Sequence, residues 1–195
     1  MPRPAHPASR SLPHQVRIIG GLWKRTPLPV ADRPGLRPTP DRVRETLFNW
    51  LGQDLSGWRC VDAFAGTGAL GLEAASRGAA DVLLVEAEGS LADQLRALVR
   101  KLDAGNVRVQ RGNALTVLAG LAPASVDLVF LDPPFDADLF DKALAAARPA
   151  LTAEGCVYLE APSAWTEEAL ARHGLALHRH MKAGAVHGHL LRPVA

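Results

Sequence analysis

Arg59-Cys-Val-Asp62-Ala-Phe-Ala-Gly66-Thr-Gly68-Ala-Leu-Gly71 decides the fold of this chain. A short apolar run ends at Asp62-Ala63-Phe64. A glycine-bearing turn follows, and a helix begins near Leu70-Gly71-Leu72. Glycine tolerates positive φ and lets the backbone come close to a ligand at a helix N-terminus. The spacing Gly66-x-Gly68-x-x-Gly71 also matches the dinucleotide fingerprint, a weak signal when it stands alone. Outward from this turn the pattern alternates. Apolar strand-like runs at 81–86, 107–109, 126–131 and 156–160 are separated by helical patterns at 90–102, 114–121, 139–149 and 165–173. Runs at 175–178 and 185–191 close the chain as a hairpin around Gly184. Strand–helix alternation implies a doubly wound α/β fold, a mostly parallel sheet covered on both faces, with the terminal hairpin antiparallel.

In such a sheet the ligand crevice lies beyond the carboxyl ends of the strands. Asp62, Glu86, Asn113 and Asp132 all stand just past strand ends and are expected to converge there. Glu86 suits ribose hydroxyls. Asp62 beside the glycine turn would repel a pyrophosphate and attract a ligand with a cationic end. The run Val126-Asp-Leu-Val-Phe-Leu-Asp132-Pro133-Pro134-Phe135 contains two residues that cannot donate to a sheet ladder. Either the prolines only terminate the strand, or they preset a carbonyl beside Asp132 for a planar group bearing an amino nitrogen. A nicotinamide oxidoreductase stays open as an alternative, as does a binding protein on the same fold.

The charge is uneven. Residues 1–50 carry nine Lys/Arg and three Asp/Glu, a local +6 in a chain whose net charge is +2. A basic front on a slightly acidic body suggests a polyanionic partner. Residues 1–14 read as a disordered tail, 15–52 as a basic hairpin and helix, and 53–195 as the main domain. Val16–Ile19 and Leu22–Lys24 read as two short strands about Gly20-Gly21. Residues 31–40 read as a loop, with Thr39 as N-cap and Pro40 as the first helical residue. The helix that follows places Val43, Leu47, Trp50 and Leu51 on one face, and Arg42, Arg44 and Glu45 off it.

No apolar run approaches a membrane span, and no secretion signal is visible, so a cytoplasmic protein is expected. Cys60 and Cys156 lie in apolar runs and read as reduced core thiols. His178, His180, His187 and His189 sit at period-two spacing on the last two strands. They are expected to decorate an exposed face rather than to hold a metal. No oligomer seam is visible, so a monomer is expected.

Phe64-x-Gly66-x-Gly68 with Glu86 and Asp132-Pro133-Pro134-Phe135 resembles S-adenosylmethionine-dependent methyltransferases that act on exocyclic amino groups of bases. Val16–Lys24 together with Gly35-Leu-Arg-Pro-Thr-Pro-Asp-Arg-Val-Arg-Glu-Thr-Leu-Phe-Asn-Trp-Leu51 resembles the bacterial 16S rRNA guanine-N2 methyltransferase family. The resemblance runs from about residue 15 to the C-terminus. It implies a Rossmann-like class I fold with a seven-stranded sheet and a small N-terminal β-hairpin extension. It implies cofactor contacts from Asp62, Ala63, Phe64, Ala65, Gly66, Thr67, Gly68, Glu86, Ala87, Asn113 and Ala114. Ala87-Glu88 and Asn113 depart from the family pattern. Asp132 and the Pro133 carbonyl would accept the amino hydrogens, with Pro134 fixing the backbone and Phe135 stacking on the base. Arg37, Thr39, Arg42 and Arg44 would flank the RNA, and Arg17, Lys24 and Arg25 would touch phosphate. The implied partner is 16S rRNA in the small subunit or a late assembly intermediate. Adenine or DNA amino groups share the Asp-Pro-Pro-aromatic signal and stay open.

Overall fold

The structure, a computed structural model, describes residues 15–30, 39–135 and 139–194. The expected tail, most of the 31–40 loop and Arg37 lie outside them. Seven strands form one sheet: β3 (Arg59–Asp62), β4 (Asp81–Glu86), β5 (Val107–Arg111), β6 (Val126–Leu131), β7 (Leu151–Ala161), β8 (Leu175–Ala183) and β9 (Val186–Pro193). Their order is β5-β4-β3-β6-β7-β9-β8. The first five strands pair in parallel, and β9 pairs antiparallel with both β7 and β8. This is the doubly wound sheet that the alternation implied.

Successive side chains point to opposite faces, and each face buries its own helices. Cys60, Val82, Leu84, Leu128, Phe130 and Tyr158 pack against α1 (Asp41–Leu51), α2 (Ala69–Ser76) and α3 (Gly89–Lys101). Val61, Leu83, Val85, Val129, Leu131 and Leu159 pack against α4 (Ala114–Ala119), α5 (Phe140–Ala147) and α6 (Glu167–Ala171). Burying strands on both sides is what makes β4 and β6 read as unbroken apolar runs. Cys60 and Cys156 are buried, unpaired thiols in the first of these layers.

The front of the chain departs from its sequence reading. β1 (Gln15–Arg17) pairs with β2 (Pro27–Pro29), not with Leu22–Lys24. Residues 20–25 instead form a turn pressed against the end of α2. Leu22 N–H donates to the Ser76 carbonyl at 2.7 Å, and Trp23 N–H to Ser76 Oγ at 2.9 Å. A β-carbon on Gly21 would lie 1.8 Å from that same carbonyl oxygen, so this contact needs glycine. Thr39 does not cap α1. Pro40 occupies the N-cap without a side-chain hydrogen bond, and the Thr39 hydroxyl is buried elsewhere.

Arg44 is the larger correction. It is buried (0% exposed) on the inner face of α1 with Val43, Leu47, Phe48 and Leu51. Its guanidinium donates to the Thr39 carbonyl (3.2 Å) and pairs with Asp41 (2.5 Å) and Glu73 (3.4 Å). It therefore cannot face RNA. Glu73, equally buried in α2, also accepts the backbone N–H groups of Ile19 and Gly20 at 2.7 and 2.8 Å and pairs with Arg77 at 2.8 Å. One ionic knot thus ties the segment after β1 to α1 and α2.

The histidines also differ from expectation. A register shift between Leu177 and Arg179 separates His178 from the other three. His180, His187 and His189 cluster, with ring centroids 5.0–6.3 Å apart. His189 is fully buried rather than exposed. Its Nε2 accepts the Trp165 N–H at 3.1 Å and its Nδ1 meets the Leu159 carbonyl at 3.3 Å, the pattern of a neutral ring protonated on Nδ1. Burial pushes its pKa down to about 4.

Candidate active site

Sheet order reverses between β3 and β6, and the turns that follow these two strands supply the crevice. Asp62 closes β3 and is buried. Its Oδ2 accepts the Gly71 N–H at 2.9 Å, which holds the start of α2 against the strand. A β-carbon on Gly71 would lie 2.2 Å from Leu84 Cδ2 and 3.1 Å from Asp62 Cβ, so the third glycine of the pattern serves helix–strand packing. Gly66 and Gly68 hold φ of 52° and 78°, the left-handed region that glycine enters freely. Ala63, Ala65 and Thr67 are buried along this turn, and Phe64 is half-buried against the opposite layer.

Glu86 organises the far side. Its carboxylate accepts the Gly66 N–H at 2.9 Å through Oε2 and the Glu88 N–H at 2.8 Å through Oε1. The glycine turn and the end of β4 are thereby fixed to each other, and each oxygen keeps a further acceptor site for a diol. Ala87 is exposed beside it. Asn113 is the N-cap of α4, its Oδ1 accepting the Thr116 N–H at 3.1 Å, and Ala114 is buried behind it. The side-chain oxygen of Asn113 is thus engaged within its own helix.

After β6, Asp132 is half-buried, Pro133 buried, Pro134 exposed and Phe135 41% exposed. Phe135 begins a row of rings, Phe135–Phe140–Trp165–His173, with centroids 6.1–6.4 Å apart. One carboxylate here was not picked out from sequence. Glu160, 4% exposed near the end of β7, accepts hydrogen bonds from Thr39 Oγ1 (2.8 Å) and Tyr158 OH (3.1 Å) through Oε1. Its signal was the rule already applied to the other acids, a carboxylate at a strand end. No motif marked it, and its nearness to Asp132 depends on how β6 and β7 register.

Asp62, Asp132 and Glu160 lie at the ends of three adjacent strands. Burial pushes the Asp62 carboxyl up to about 7. Asp132 is pushed well above the ordinary carboxylate range, first by burial, then by Glu160 and Asp62. Burial raises Glu160 too, against the lowering effect of its two hydroxyl donors. A crevice of crowded carboxylates favours a cationic ligand and disfavours a pyrophosphate.

The family model described as conserved hypothetical protein 95 matches residues 16–192. Ribosomal RNA small subunit methyltransferase D of Escherichia coli strain K12 is 41% identical over 197 residues, covering 95% of this chain and 92% of that protein. The Haemophilus influenzae protein of that name is 42% identical over 67% of this chain and 69% of its own. The chain belongs to the small-subunit rRNA methyltransferase D family. Solved structures agree. That of yhhF from Escherichia coli superposes with a TM-score of 0.80 at 42% identity, covering 93% of this chain and 99% of that one. A Haemophilus influenzae structure gives 0.75 at 32%, with the same coverage. The protein is a methyltransferase of Rossmann-like class I architecture that uses S-adenosylmethionine. The crevice fits that cofactor: it bears a sulfonium and an ammonium, which suit the carboxylates, and a ribose diol, which suits Glu86.

Of the basic residues expected to meet RNA, Arg17, Lys24, Arg25 and Arg42 are exposed. Arg44 and Thr39 are buried, for the reasons above. No helix among the described residues is long and apolar enough to cross a membrane.

Proposed function

We propose that the protein methylates the N2 amino group of a guanine in 16S rRNA. The substrate would be the small subunit or a late assembly intermediate, and the enzyme a cytoplasmic monomer. The observation that carries this reading is the placement of Asp132-Pro133-Pro134-Phe135 at the crevice end of β6, beside the glycine turn after β3. Relatives named as small-subunit rRNA methyltransferases support the nucleic-acid class.

In this reading Asp62 through Gly68, Glu86, Ala87, Asn113 and Ala114 hold the cofactor, which when bound supplies an electrophilic methyl group on sulfur. A base amino nitrogen is a weak nucleophile because its lone pair is delocalised into the ring. Asp132 and the Pro133 carbonyl accept its two hydrogens and so direct the lone pair out of the ring plane. The prolines preset that carbonyl, which removes an ordering cost on binding. Phe135 offers its exposed face to the unstacked base, a contact of roughly 1–3 kcal/mol. Arg17, Lys24, Arg25 and Arg42 supply salt-sensitive phosphate contacts.

The test is transfer of labelled methyl to unmethylated small subunits, with naked 16S rRNA, DNA and Asp132→Ala enzyme in parallel. Label recovered as N2-methylguanosine, and lost in the variant, is the expected result. Label recovered on adenine or on DNA would refute the substrate assignment.

A further inference from the structure

Glu160 is a buried acid with more hydrogen-bonding machinery around it than packing requires. β6 and β7 run parallel with Phe130 opposite Tyr158 and Leu131 opposite Leu159. One step further, Asp132 and Glu160 leave the two strands side by side on the same face as Phe130 and Tyr158. Both side chains of that face are fixed: the Phe130 and Tyr158 rings meet edge-on at 6.5 Å, and Tyr158 OH reaches Glu160 at 3.1 Å. Across from Glu160 on β9 stands Gly188. A β-carbon there would lie 2.8 Å from Tyr158 OH, so the glycine clears the path of the hydroxyl. Thr39 closes the other side at 2.8 Å.

We propose that Glu160 is the positioning residue of Asp132: an anion held in place by Thr39 and Tyr158 that makes Asp132 the acceptor of the proton released on methylation. This rests on the reading of Asp132 given above. As the N–C bond forms and the S–C bond breaks, the amino nitrogen must shed one proton. Its N–H electron pair returns to nitrogen, an O–H bond forms on Asp132, and the proton passes to water when the product leaves. A neighbouring negative charge strengthens the base that receives it. Among the described residues, the titratable groups that act on Asp132 or feel it are Asp62 from β3 and Glu160 and Tyr158 from β7. Thr39 adds a neutral donor, and the β9 residue in register with Glu160 is Gly188, which carries no side chain. Burial and Glu160 together raise the Asp132 carboxyl, in keeping with this arrangement.

The experiment is carboxyl-carbon NMR titration of the ligand-free protein, with Asp132 assigned through Asp132→Asn, in wild type, Glu160→Gln and Tyr158→Phe. The acid limb of the kcat–pH profile is measured on the same proteins. Glu160→Gln should lower the Asp132 midpoint by about one pH unit or more. Tyr158→Phe, which removes one donor that holds the Glu160 charge, should lower it by less. The acid limb should move with the Asp132 midpoint in both variants. An Asp132 midpoint that stays put in folded variants overturns the proposal; if Glu160→Gln does not fold, Tyr158→Phe decides. Full activity of Asp132→Asn on rRNA would instead sink the role of Asp132, and an intact titration shift would show that the fault lay there and not in the pairing.

Discussion

Two groups of charge meet at Thr39, whose carbonyl accepts from Arg44 and whose hydroxyl donates to Glu160, and they are built in opposite ways. At the front, Arg44 and Glu73 are matched to each other, and their remaining capacity is taken by Asp41, Arg77, the Thr39 carbonyl and the N–H groups of Ile19 and Gly20. At the crevice, Asp62, Asp132 and Glu160 share one sign, and hydroxyls and a backbone N–H support Glu160 and Asp62. The first group is complete within the chain and serves architecture. The second has no cation of its own among the described residues, so burial and mutual repulsion push its carboxyls toward their neutral forms, and a cationic ligand favours the ionised ones.

Breaking the first group should have the largest effect. Arg44→Ala empties a fully buried side-chain site and takes away one of the two cations on Glu73, which keeps Arg77 and two backbone N–H groups, and a loss of about 3–5 kcal/mol is expected by chemical denaturation. Were Arg44 an RNA contact, the variant would keep its stability and lose only salt-dependent binding.

The second group should respond in activity before stability. Asp132→Asn should lower kcat by about 100-fold or more while the protein stays folded, read by labelled methyl transfer. Asp62→Asn sharpens the contrast further. The Asp62 carboxyl is raised from 3.8 to about 7, so the folded state favours its protonated form. Its stabilising contribution is full below the ordinary value and is lost as pH rises through about 7. Asp62→Asn should therefore make the ligand-free protein more stable than wild type at pH 8 by roughly 2–4 kcal/mol, with no gain at about pH 4. Thermal melting at the two pH values checks this, and calorimetry should show weaker cofactor binding.

Smallest are the exposed cations. Removing Arg17, Lys24 or Arg25 singly should leave stability unchanged. Each removal should flatten the dependence of log affinity for rRNA on log salt by roughly 0.7–0.9 for the one phosphate no longer neutralised. A variant that binds less without a change in that slope does not touch phosphate.

The same two groups show what the sequence could disclose. Asp62, Gly66, Gly68, Glu86 and Asp132 were legible because each is marked locally, by a turn residue or a strand end, and the parallel fold brings strand ends together whatever their order. Glu160 carried the same mark, but its meaning needed the β6–β7 register, which pairs Phe130 with Tyr158 across a whole intervening helix. Arg44 gave no local sign at all. A lone arginine among polar residues reads as solvated, and its burial follows from an acid 29 residues away on another helix. His189 is buried because β9 lies inside the sheet, paired to both β7 and β8, and the Trp165 segment covers its ring, none of which the local spacing of histidines shows. β2 was misplaced because Pro27 and Pro29 argue against a strand, yet a two-stranded edge tolerates them.

The clamp on the front of the chain also sets an order in time. Ile19 and Gly20 are made 54 and 53 residues before Glu73, the side chain that receives their N–H groups. At roughly 5–20 residues per second, the first strand pair leaves the synthesising ribosome seconds ahead of its anchor. The amino-terminal extension is therefore made well before the helix that seats it, and a pause in translation before α2 would lengthen the interval in which it stands undocked.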